Sequence, residues 1–414
     1  MKSEWKEGKL GDFIELKRGY DLPQAQRVAG RFPLVSSSGE TDSHHEAKVK
    51  GPGVVTGRYG TIGQVFYIAE DFWPLNTTLY VRDFKGNDPK FISYFLQTVD
   101  FSAYSDKAAV PGINRNHLHE ALIHIPNLST QKKIAVTLSA FDDRITLLRE
   151  TNATLESIAQ ALFKSWFVDF DPVHAKAEGR EPEGMDEATA ALFTDSFDES
   201  ELGLGLVPKG WQIQPLISAY EINPIRKLKK GQVAPYLDMA SVSTQGHAVS
   251  NVVYREVGSG SKFTNGDTLL ARITPCLENG KTAFVDFLSD SDIGWGSTEF
   301  IVLRPKAPLP AYHGYLLSRH PPFRTFAIQS MSGTSGRQRV QNDVLGHYPI
   351  VIPSPAVAEV FGDMLGVLQQ KIAANEKQAE TLAALRDTLL PRLISGQLRV
   401  PEAAEKTREF LTEA

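Results

Sequence analysis

Three consecutive residues, Gly280-Lys281-Thr282, are of the types that hold nucleotide phosphates in many ATP- and GTP-binding proteins. That phosphate loop also needs a glycine five positions before its second glycine, and position 275 is a proline here. The glycines of GLGLVPKG (203–210) lack the third glycine and the preceding strand of a dinucleotide site. We therefore predict that this chain binds neither ATP nor a dinucleotide cofactor.

The histidines and the cysteine do not have the spacing of a metal site. His44 and His45 are adjacent, so their side chains point in different directions, and His117 and His119 have no acidic pair or cysteine nearby in the chain. Cys276 is the single cysteine and can form no internal disulfide, which is typical of a reducing compartment. We predict no metal ion in this chain and a cytoplasmic location.

Two further patterns could indicate catalysis. Asp169 and Asp171 could form a carboxylate pair, but they follow a long helical pattern and precede Pro172, so helix capping or a partner contact is the favoured interpretation. The Asn-Pro-Pro-aromatic tetrapeptide of amino-methyltransferases is absent, because Asn223-Pro224 is followed by isoleucine. We predict that the chain is not an enzyme and does not itself modify DNA.

The net charge of −5 conceals an uneven distribution. Residues 178–201 hold nine acidic residues and one arginine, a net charge of −8, so the rest of the chain carries +3. Residues 300–342 hold six basic residues and no acid, and Arg226, Lys227, Lys229 and Lys230 form a second basic cluster. Two basic surfaces separated by an acidic connector would suit a nucleic acid, and solvated charged faces are the alternative.

Membrane insertion and export are not expected. No apolar run approaches the ~20 residues that span a bilayer. The first residues, MKSEWKEGKLGDF, lack the apolar segment of a signal peptide.

The two halves of the chain repeat the same order of motifs, beginning at Trp5 and Trp211. The matched stretches are GPGVVTGRYGTIGQVFYI (51–68) with NGDTLLARITPCLENGKTAFV (265–285), NTTLYVRDF (76–84) with STEFIVLRP (297–305), and GINRNHLHEALIHIP (112–126) with GRQRVQNDVLGHYPIVIP (336–353). Short alternating runs interrupted by glycine and proline predict strands joined by loops. FISYFLQTV (91–99) and YHGYLLSR (312–319) predict one helix in each half. The predicted fold class is mixed α/β (α+β), with two tandem domains.

A long helix is predicted after each domain. Apolar residues follow a 4-3 spacing from Ile134 to Trp166, and the positions 227 residues later, from Phe361 to Leu393, are again mostly apolar. This is the seam of a coiled coil. The residues expected to face the other helix or a partner protein are Ile145, Leu148, Asn152, Leu155, Trp166, Phe167, Leu368, Ile372, Leu382 and Leu389.

Because each apolar stripe must be buried, the two helices are expected to pack on each other. The pattern alone leaves both directions open, and the fold we predict is the antiparallel pair with a pseudo-twofold internal repeat. Asn152 and Asn375 lie in the seam, where a buried asparagine commonly fixes register, and a solvent- or partner-facing asparagine is the alternative. Charged residues such as Asp142 and Glu376 are expected on the solvated face.

The order of domain, long helix, connector, domain and long helix resembles the specificity subunits of type I restriction-modification systems over nearly the whole chain. The segments that sharpen the resemblance are LFKSWFVDFDPVHAK (162–176), LGLVPKGW (204–211), LLPRLISGQL (389–398), IPNLSTQKKI (125–134) and, more weakly, IPSPAVAEVF (352–361). Ala358 stands where the first copy has Gln131, which affects local contacts at the helix start. The predicted division is a first target-recognition domain 1–129, a spacer helix 130–168, an acidic connector 169–210, a second target-recognition domain 211–355, a second spacer helix 356–398 and a tail 399–414.

The resemblance implies a DNA-reading scaffold. Each domain would read one half of a split target in double-stranded DNA, and the helices would set the gap between the halves. Two modification subunits would dock against the helices and connecting segments, bind S-adenosylmethionine and methylate adenine, while restriction subunits would use ATP and Mg²⁺ for translocation and cleavage. It implies no cofactor in this chain.

Direct readout of bases needs Arg, Asn, Gln, Ser or Thr on loops, and phosphate contacts need Lys or Arg. The residues predicted to contact DNA are Arg58, Tyr59, Thr61, Asn76, Asn114, Arg115 and Asn116 in the first domain, and Arg272, Thr274, Asn279, Lys281, Arg337, Gln338, Arg339 and Gln341 in the second. The repeat alignment pairs Arg58 with Arg272 and Asn114 with Gln341. Surface or turn residues are the alternative interpretation for each.

Two other classes of function stay open at this point. A coiled-coil adapter with duplicated protein- or RNA-binding domains would bind a protein ligand without dependence on salt. An enzyme with an unrecognised site in residues 214–300 would show turnover by the isolated chain. DNA reading predicts an affinity that falls with salt by about 0.9 log units per log unit for each phosphate contacted.

Overall fold

The computed structural model describes residues 5–104, 112–200, 205–289, 291–334, 336–402 and 405. The chain divides into two compact units, one of Met1–Thr146 with Gln378–Ala414 and the other of Leu147–Lys377. Each unit holds a mixed domain of strands and helices together with parts of two long helices. The predicted mixed α/β fold with two tandem domains is confirmed.

The first unit contains a domain built mainly from short strands. Its elements are β1 (Trp5–Lys9), α1 (Leu10–Phe13), β2 (Glu15–Arg18), β3 (Phe32–Ser36), β4 (Gly39–His44), β5 (Gly53–Gly57), β6 (Val65–Ile68), β7 (Trp73–Pro74), β8 (Thr78–Asp83), α2 (Pro89–Gln97), α3 (Arg115–His119) and β9 (Leu122–Pro126), followed by the long helix α4 (Leu128–Phe167). The four-stranded sheet has the order β2-β8-β5-β6, the three-stranded sheet has the order β4-β3-β7, and β1 pairs with β9.

The core of this domain lies where α2 packs against the four-stranded sheet. Strand β5 is buried along its whole length, since the run Gly53–Gly57 has no polar side chain other than Thr56. Asp88 caps α2 by accepting a hydrogen bond from Phe91 N at 2.8 Å, and Pro89 occupies the first turn, where its missing N–H costs nothing. The predicted helix in residues 91–99 is confirmed.

The second unit begins within α4 and continues with a longer set of elements. They are α5 (Asp171–Ala177), α6 (Glu187–Ala191), β10 (Phe197–Glu199), β11 (Leu206–Pro208), β12 (Gln212–Pro215), α7 (Leu216–Ala219), β13 (Tyr220–Ile222), β14 (Val233–Leu237), β15 (Val253–Glu256), β16 (Ser261–Phe263), β17 (Thr268–Ala271), β18 (Thr282–Phe284), β19 (Gly294–Gly296), β20 (Phe300–Pro305), α8 (His313–Arg319), α9 (Pro321–Gln329), α10 (Asn342–Gly346), β21 (Pro349–Ile352) and the long helix α11 (Pro355–Ile394).

The sheets of the second domain repeat those of the first. The order β13-β20-β17-β18 corresponds to β2-β8-β5-β6, the order β15-β14-β19-β16 extends the pattern of β4-β3-β7 by one strand, and β12 pairs with β21 as β1 does with β9. The antiparallel pairing is also repeated, because β5 pairs with β6 and β8 in one domain and β17 pairs with β18 and β20 in the other. The predicted internal repeat is confirmed, and among the described residues α9 has no counterpart α-helix in the first domain.

The two long helices pack together and run antiparallel in the second unit. Asn152 of α4 contacts Asn375 of α11, while Trp166, further along α4, meets Phe361, which is earlier in α11. The residues predicted for the seam are buried at Ile145, Leu148, Asn152, Trp166, Phe167, Ile372, Leu382 and Leu389, and half-buried at Leu155 and Leu368. Burial of these stripes accounts for the pairing.

The two seam asparagines bond to each other. Asn375 Nδ2 donates to Asn152 Oδ1 at 2.8 Å, and Asn152 Nδ2 donates to the Ile372 carbonyl at 3.2 Å and to Glu376 Oε1 at 3.0 Å. Both side chains are at least 95% buried, so shifting one helix along the other would leave buried amides unpaired. The register interpretation of these residues is therefore favoured over a solvent-facing one.

The expectation that Asp142 and Glu376 lie on a solvated face is wrong. Glu376 accepts the bond from Asn152, and Asp142 in the first unit accepts a bond from Tyr94 and an ion pair from Arg386 Nη1 at 2.5 Å. Burial and the bond to Asp142 raise the pKa of Tyr94, so the phenol stays protonated and donates. The heptad pattern identifies only the apolar residues of the seam. It does not show that a polar residue beside the seam bonds to the other helix, as both acids do here, or to a neighbouring domain helix, as Asp142 does through Tyr94.

The acidic connector belongs to the second unit, and its described residues 169–200 and 205–210 contribute to the core of that unit. Val173 of α5 and Phe193 after α6 are buried in the same cluster as Trp166, Trp211 and Phe361. Phe193 lies edge-on to Trp166 with ring centroids 4.9 Å apart. Within the described part of the chain, no helix is both long and apolar enough to cross a membrane.

Candidate nucleic-acid interface

Three of the predicted DNA-contact segments meet in the first domain. Directly after β5, Arg58 N donates to the Thr77 carbonyl at 2.9 Å, and the Arg58 carbonyl accepts from Ile113 N at 3.1 Å. Tyr59 forms a bridge to Gly112 beside it. The main chain thus joins the GRYGTIG loop, the turn before β8 and the GINRN segment, which are distant in sequence.

The second domain joins its corresponding segments in the same way. Directly after β17, Arg272 N donates to the Glu299 carbonyl at 2.9 Å, and the Arg272 carbonyl accepts from Val340 N at 3.0 Å. Ile273 forms a bridge to Arg339. Each of these bonds matches one in the first domain, so Arg58 and Arg272 occupy equivalent positions. We call this arrangement the loop frame of each domain.

Close packing fixes the first loop frame. A Cβ on Gly112 would lie 2.3 Å from Tyr59 Cε1, and a Cβ on Gly57 would lie 2.0 Å from the Thr61 carbonyl oxygen, so both positions require glycine. The guanidinium of Arg58 lies 4.5 Å from the centroid of the Tyr59 ring. Arg58, Tyr59 and Thr61 are all half-buried, which leaves part of each side chain open to a ligand.

The other predicted residues of the first domain have different surroundings. Asn114 caps α3 by accepting a hydrogen bond from Asn116 N at 3.0 Å, while the side chains of Arg115 and Asn116 are exposed. The side-chain amide of Asn76 donates to Asp21 and lines a surface cleft of about 380 Å³. Asn114 and Asn76 therefore have structural contacts in addition to any contact with DNA.

The second loop frame brings Arg272, Thr274, Gln338 and Gln341 together. Arg272 Nη2 lies 3.4 Å from Gln341 Oε1. These are the two residues that the repeat alignment pairs with Arg58 and Asn114, respectively. Thr274 N donates to the Gln338 carbonyl at 3.0 Å, and Thr274 Oγ1 accepts from Gln338 N at 3.1 Å. These two bonds hold the loop after β17 against the GRQRVQ segment.

Two predicted residues lie on the turn between β17 and β18. Asn279 is exposed, and its N–H donates to the Pro275 carbonyl at 2.9 Å. The ammonium of Lys281 donates to the Met239 carbonyl at 2.7 Å, so this lysine ties the turn to a neighbouring loop. Arg319 Nη1 and Arg324 Nη2 donate to the carbonyls of Gly280 and Glu278 at 2.9 and 3.0 Å. Part of the basic run in residues 300–342 thus holds the turn in place.

Arg337 and Arg339 differ in what they can offer a ligand. Arg337 is exposed, whereas Arg339 forms a two-point ion pair with Glu299, Nε to Oε2 at 2.9 Å and Nη2 to Oε1 at 2.6 Å. The hydrogen bond from Arg339 lowers the pKa of Glu299. Glu299 was not among the predicted residues, yet its main-chain carbonyl accepts from Arg272 N as the Thr77 carbonyl accepts from Arg58 N in the first loop frame.

Replacing Glu299 with glutamine should destabilise the second domain in a pH-dependent way. Since the folded-state pKa of Glu299 is lowered, its contribution is present above the ordinary glutamate pKa and is lost as the pH falls through the folded-state pKa. Thermal unfolding should therefore show a lower midpoint for Glu299→Gln at pH 7 and a smaller difference from wild type at acidic pH. Glu278→Gln, at an exposed position, is the matched control. An equal difference at both pH values would mean that the charge on Glu299 is not what stabilises the frame.

Buried histidines of the second unit serve packing. His313 Nδ1 lies 2.5 Å from the Tyr220 hydroxyl oxygen. Burial lowers the pKa of His313 to about 3, so the ring is neutral at pH 7. His247 Nδ1 lies 2.8 Å from the hydroxyl of Tyr312, which belongs to the same core cluster as Tyr220. Over the described residues, no three His, Cys, Asp or Glu side chains are grouped so as to hold a metal ion.

Comparison with known proteins gives one consistent family. Residues 2–157 match the type I restriction modification DNA specificity domain. The chain is 27% identical over 358 residues to the type I restriction enzyme MjaIX specificity subunit of Methanocaldococcus jannaschii, a match that covers 81% of this chain and 76% of that protein. It is 24% identical to the HindI specificity subunit of Haemophilus influenzae, with coverage of 96% of this chain and 100% of the relative. Residues 2–157 are thus similar to this DNA specificity domain, and most of the chain is similar to type I restriction enzyme specificity subunits.

A solved structure has the same fold. The crystal structure of a type I restriction-modification S subunit from M. genitalium covers 94% of this chain and 96% of its own, with a TM-score of 0.51 and 16% sequence identity. This structural similarity extends over both domains and both long helices. The family match, by contrast, covers only residues 2–157.

Proposed function

We propose that this chain is a type I specificity subunit that reads a bipartite target in double-stranded DNA, one half with each domain, and performs no catalysis itself. The observation that carries the proposal is the loop frame, which occurs twice with the same hydrogen bonds around Arg58 and around Arg272. Arginine is the residue that most often reads guanine through two parallel hydrogen bonds. Two equivalent arginine loops in one chain suit a target of two halves.

The proposal for the rest of the assembly is based on the similarity to specificity subunits and on the helices. Two modification subunits would dock on the helices and connecting segments, bind S-adenosylmethionine and methylate adenine in the target, and restriction subunits with ATP and Mg²⁺ would add cleavage. Apolar side chains that face solvent in the second unit support docking on the helices, among them Leu147, Ile158 and Val367, which are 52%, 44% and 69% exposed. The paired helices would set the gap between the two half-targets.

Methylation mapping tests this function. DNA is exposed to the full chain together with a cognate modification subunit, and modified adenines are located by sequencing, with each protein alone as a control. A split motif that requires both proteins is the expected result. Modification by this chain alone would overturn the non-catalytic role, and no motif under any condition would overturn DNA reading in favour of an adapter.

A further inference from the structure

The loop between β13 and β14, residues 223–231, presents an isoleucine to solvent. Ile225 is 96% exposed, more than any other large apolar side chain among the described residues. Single exposed apolar residues are common on protein surfaces, so exposure alone carries no function. What distinguishes Ile225 is the way in which the loop around it is held.

Both neighbouring stretches of the loop are anchored, and Ile225 is not. Asn223 N donates to the Val302 carbonyl at 2.7 Å, and Asn223 Oδ1 accepts from Val302 N at 2.9 Å. Arg226 forms an ion pair with Asp267 at 2.7 Å, in which the two side chains are 9% and 0% exposed. The two hydrogen bonds of Asn223 and the buried ion pair of Arg226 fix the main chain on both sides of Ile225. Because the loop is already ordered, binding a ligand through Ile225 would cost little conformational entropy.

Positive charge surrounds this isoleucine. Lys227, Lys229 and Lys230 are exposed, while Leu228 between them packs against the cluster of Ala234, Val257 and Trp295. The carboxylate of Asp267 is shared by Arg226 and by Arg304, whose Nε lies 2.9 Å away, so it does not offset the lysines. Glu221 on β13 and Glu256 on β15 are exposed acids of the neighbouring strands, and they are outnumbered by the three lysines. The net positive surface fits a polyanion better than a neutral or basic protein partner.

The loop adjoins the second loop frame. Ile225 lines a surface cleft of about 410 Å³ together with Lys262 and Thr298. Thr298 directly precedes Glu299, which accepts from Arg272 N and pairs with Arg339. In the first domain the cleft at the corresponding place is lined by Asn76, a residue already predicted to contact DNA.

We propose that Ile225 is a DNA-contact residue of the second domain, with Lys227, Lys229 and Lys230 on the flanking phosphates. The isoleucine would make an apolar contact with the sugars or base edges of the half-target, as apolar side chains do in many proteins that contact the minor groove. This inference rests on the proposed DNA-reading function and adds to it a contact outside the arginine loops.

The test uses the full chain assembled with its modification subunit and a labelled duplex that carries the mapped motif. Binding is measured by fluorescence anisotropy over a series of salt concentrations. Ile225→Ala should weaken binding about fivefold or more at every salt concentration, with an unchanged salt slope, since no charge is lost. Replacing Lys227, Lys229 and Lys230 with glutamine should reduce the slope by about 0.9 for each phosphate contact removed.

Controls separate the outcomes. Ile217→Ala removes the same atoms from another exposed isoleucine of the same unit, 53% exposed, and should leave affinity unchanged. If wild type binds and Ile225→Ala binds equally well, the inference is overturned and DNA reading stands. If wild type binds no duplex, both are overturned. If Ile225→Ala prevents assembly with the modification subunit in gel filtration, the loop is a protein interface and the inference is again overturned.

Discussion

Arg272→Ala should relax recognition of one half of the bipartite target and leave the other half intact. The side chain of Arg272 lies at the centre of the second loop frame and is half-buried beside Gln341. Loss of a two-point contact with a base costs about 1–3 kcal/mol, which is roughly a 5- to 150-fold loss of discrimination at that position. Competition binding with duplexes altered in one half at a time measures the effect.

Arg58→Ala is the matched control, because Arg58 occupies the equivalent position in the first loop frame. The two variants should relax opposite halves of the target. Equal weakening of both halves by either variant would mean that these arginines contact phosphates rather than bases. Relaxation of the same half by both would contradict the assignment of one half to each domain.

Ile145→Asp should strongly destabilise the helix pair. Ile145 is 4% exposed in the seam, so the substitution buries a carboxylate without a partner. The expected cost is at least about 3 kcal/mol, a large fraction of the stability of an ordinary domain. Urea unfolding followed by circular dichroism measures this loss.

Leu147→Asp provides the comparison for that measurement. Leu147 is two residues further along the same helix and is 52% exposed, so an aspartate there stays in contact with water. Its unfolding midpoint should stay close to that of wild type. If the two variants were equally stable, the seam would not be the surface that holds the helices together.

Much of the architecture could be predicted from the sequence repeat, because two similar stretches of one chain are expected to form similar domains. A constant offset of 227 residues relates GINRN to RVQND and α4 to α11, and the strands between them follow in the same order. Nearer the start of each domain the offset is smaller, and there the repeat pairs Arg58 with Arg272. Strand register and the loop frame follow from the order of elements, so a repeated sequence pattern yields a repeated geometry.

Contacts that depend on tertiary structure could not be predicted in the same way. The ion pair of Arg339 with Glu299 joins residues 40 positions apart, and no local pattern distinguishes a paired arginine from a free one. The direction of the helix pair was also open, since a 4-3 stripe is the same read in either direction. Two contacts resolve it: Asn152 meets Asn375, and Trp166, later in α4, meets Phe361, which is earlier in α11.

The loop frames also bear on how such a protein can acquire a new target. The amide and the carbonyl of Arg272 are both occupied by main-chain partners, and the same holds for Arg58. The conformation of each loop is therefore largely independent of the arginine side chain that it presents. Under the proposed function, substitutions at these two positions would redirect recognition without loss of the folded domain.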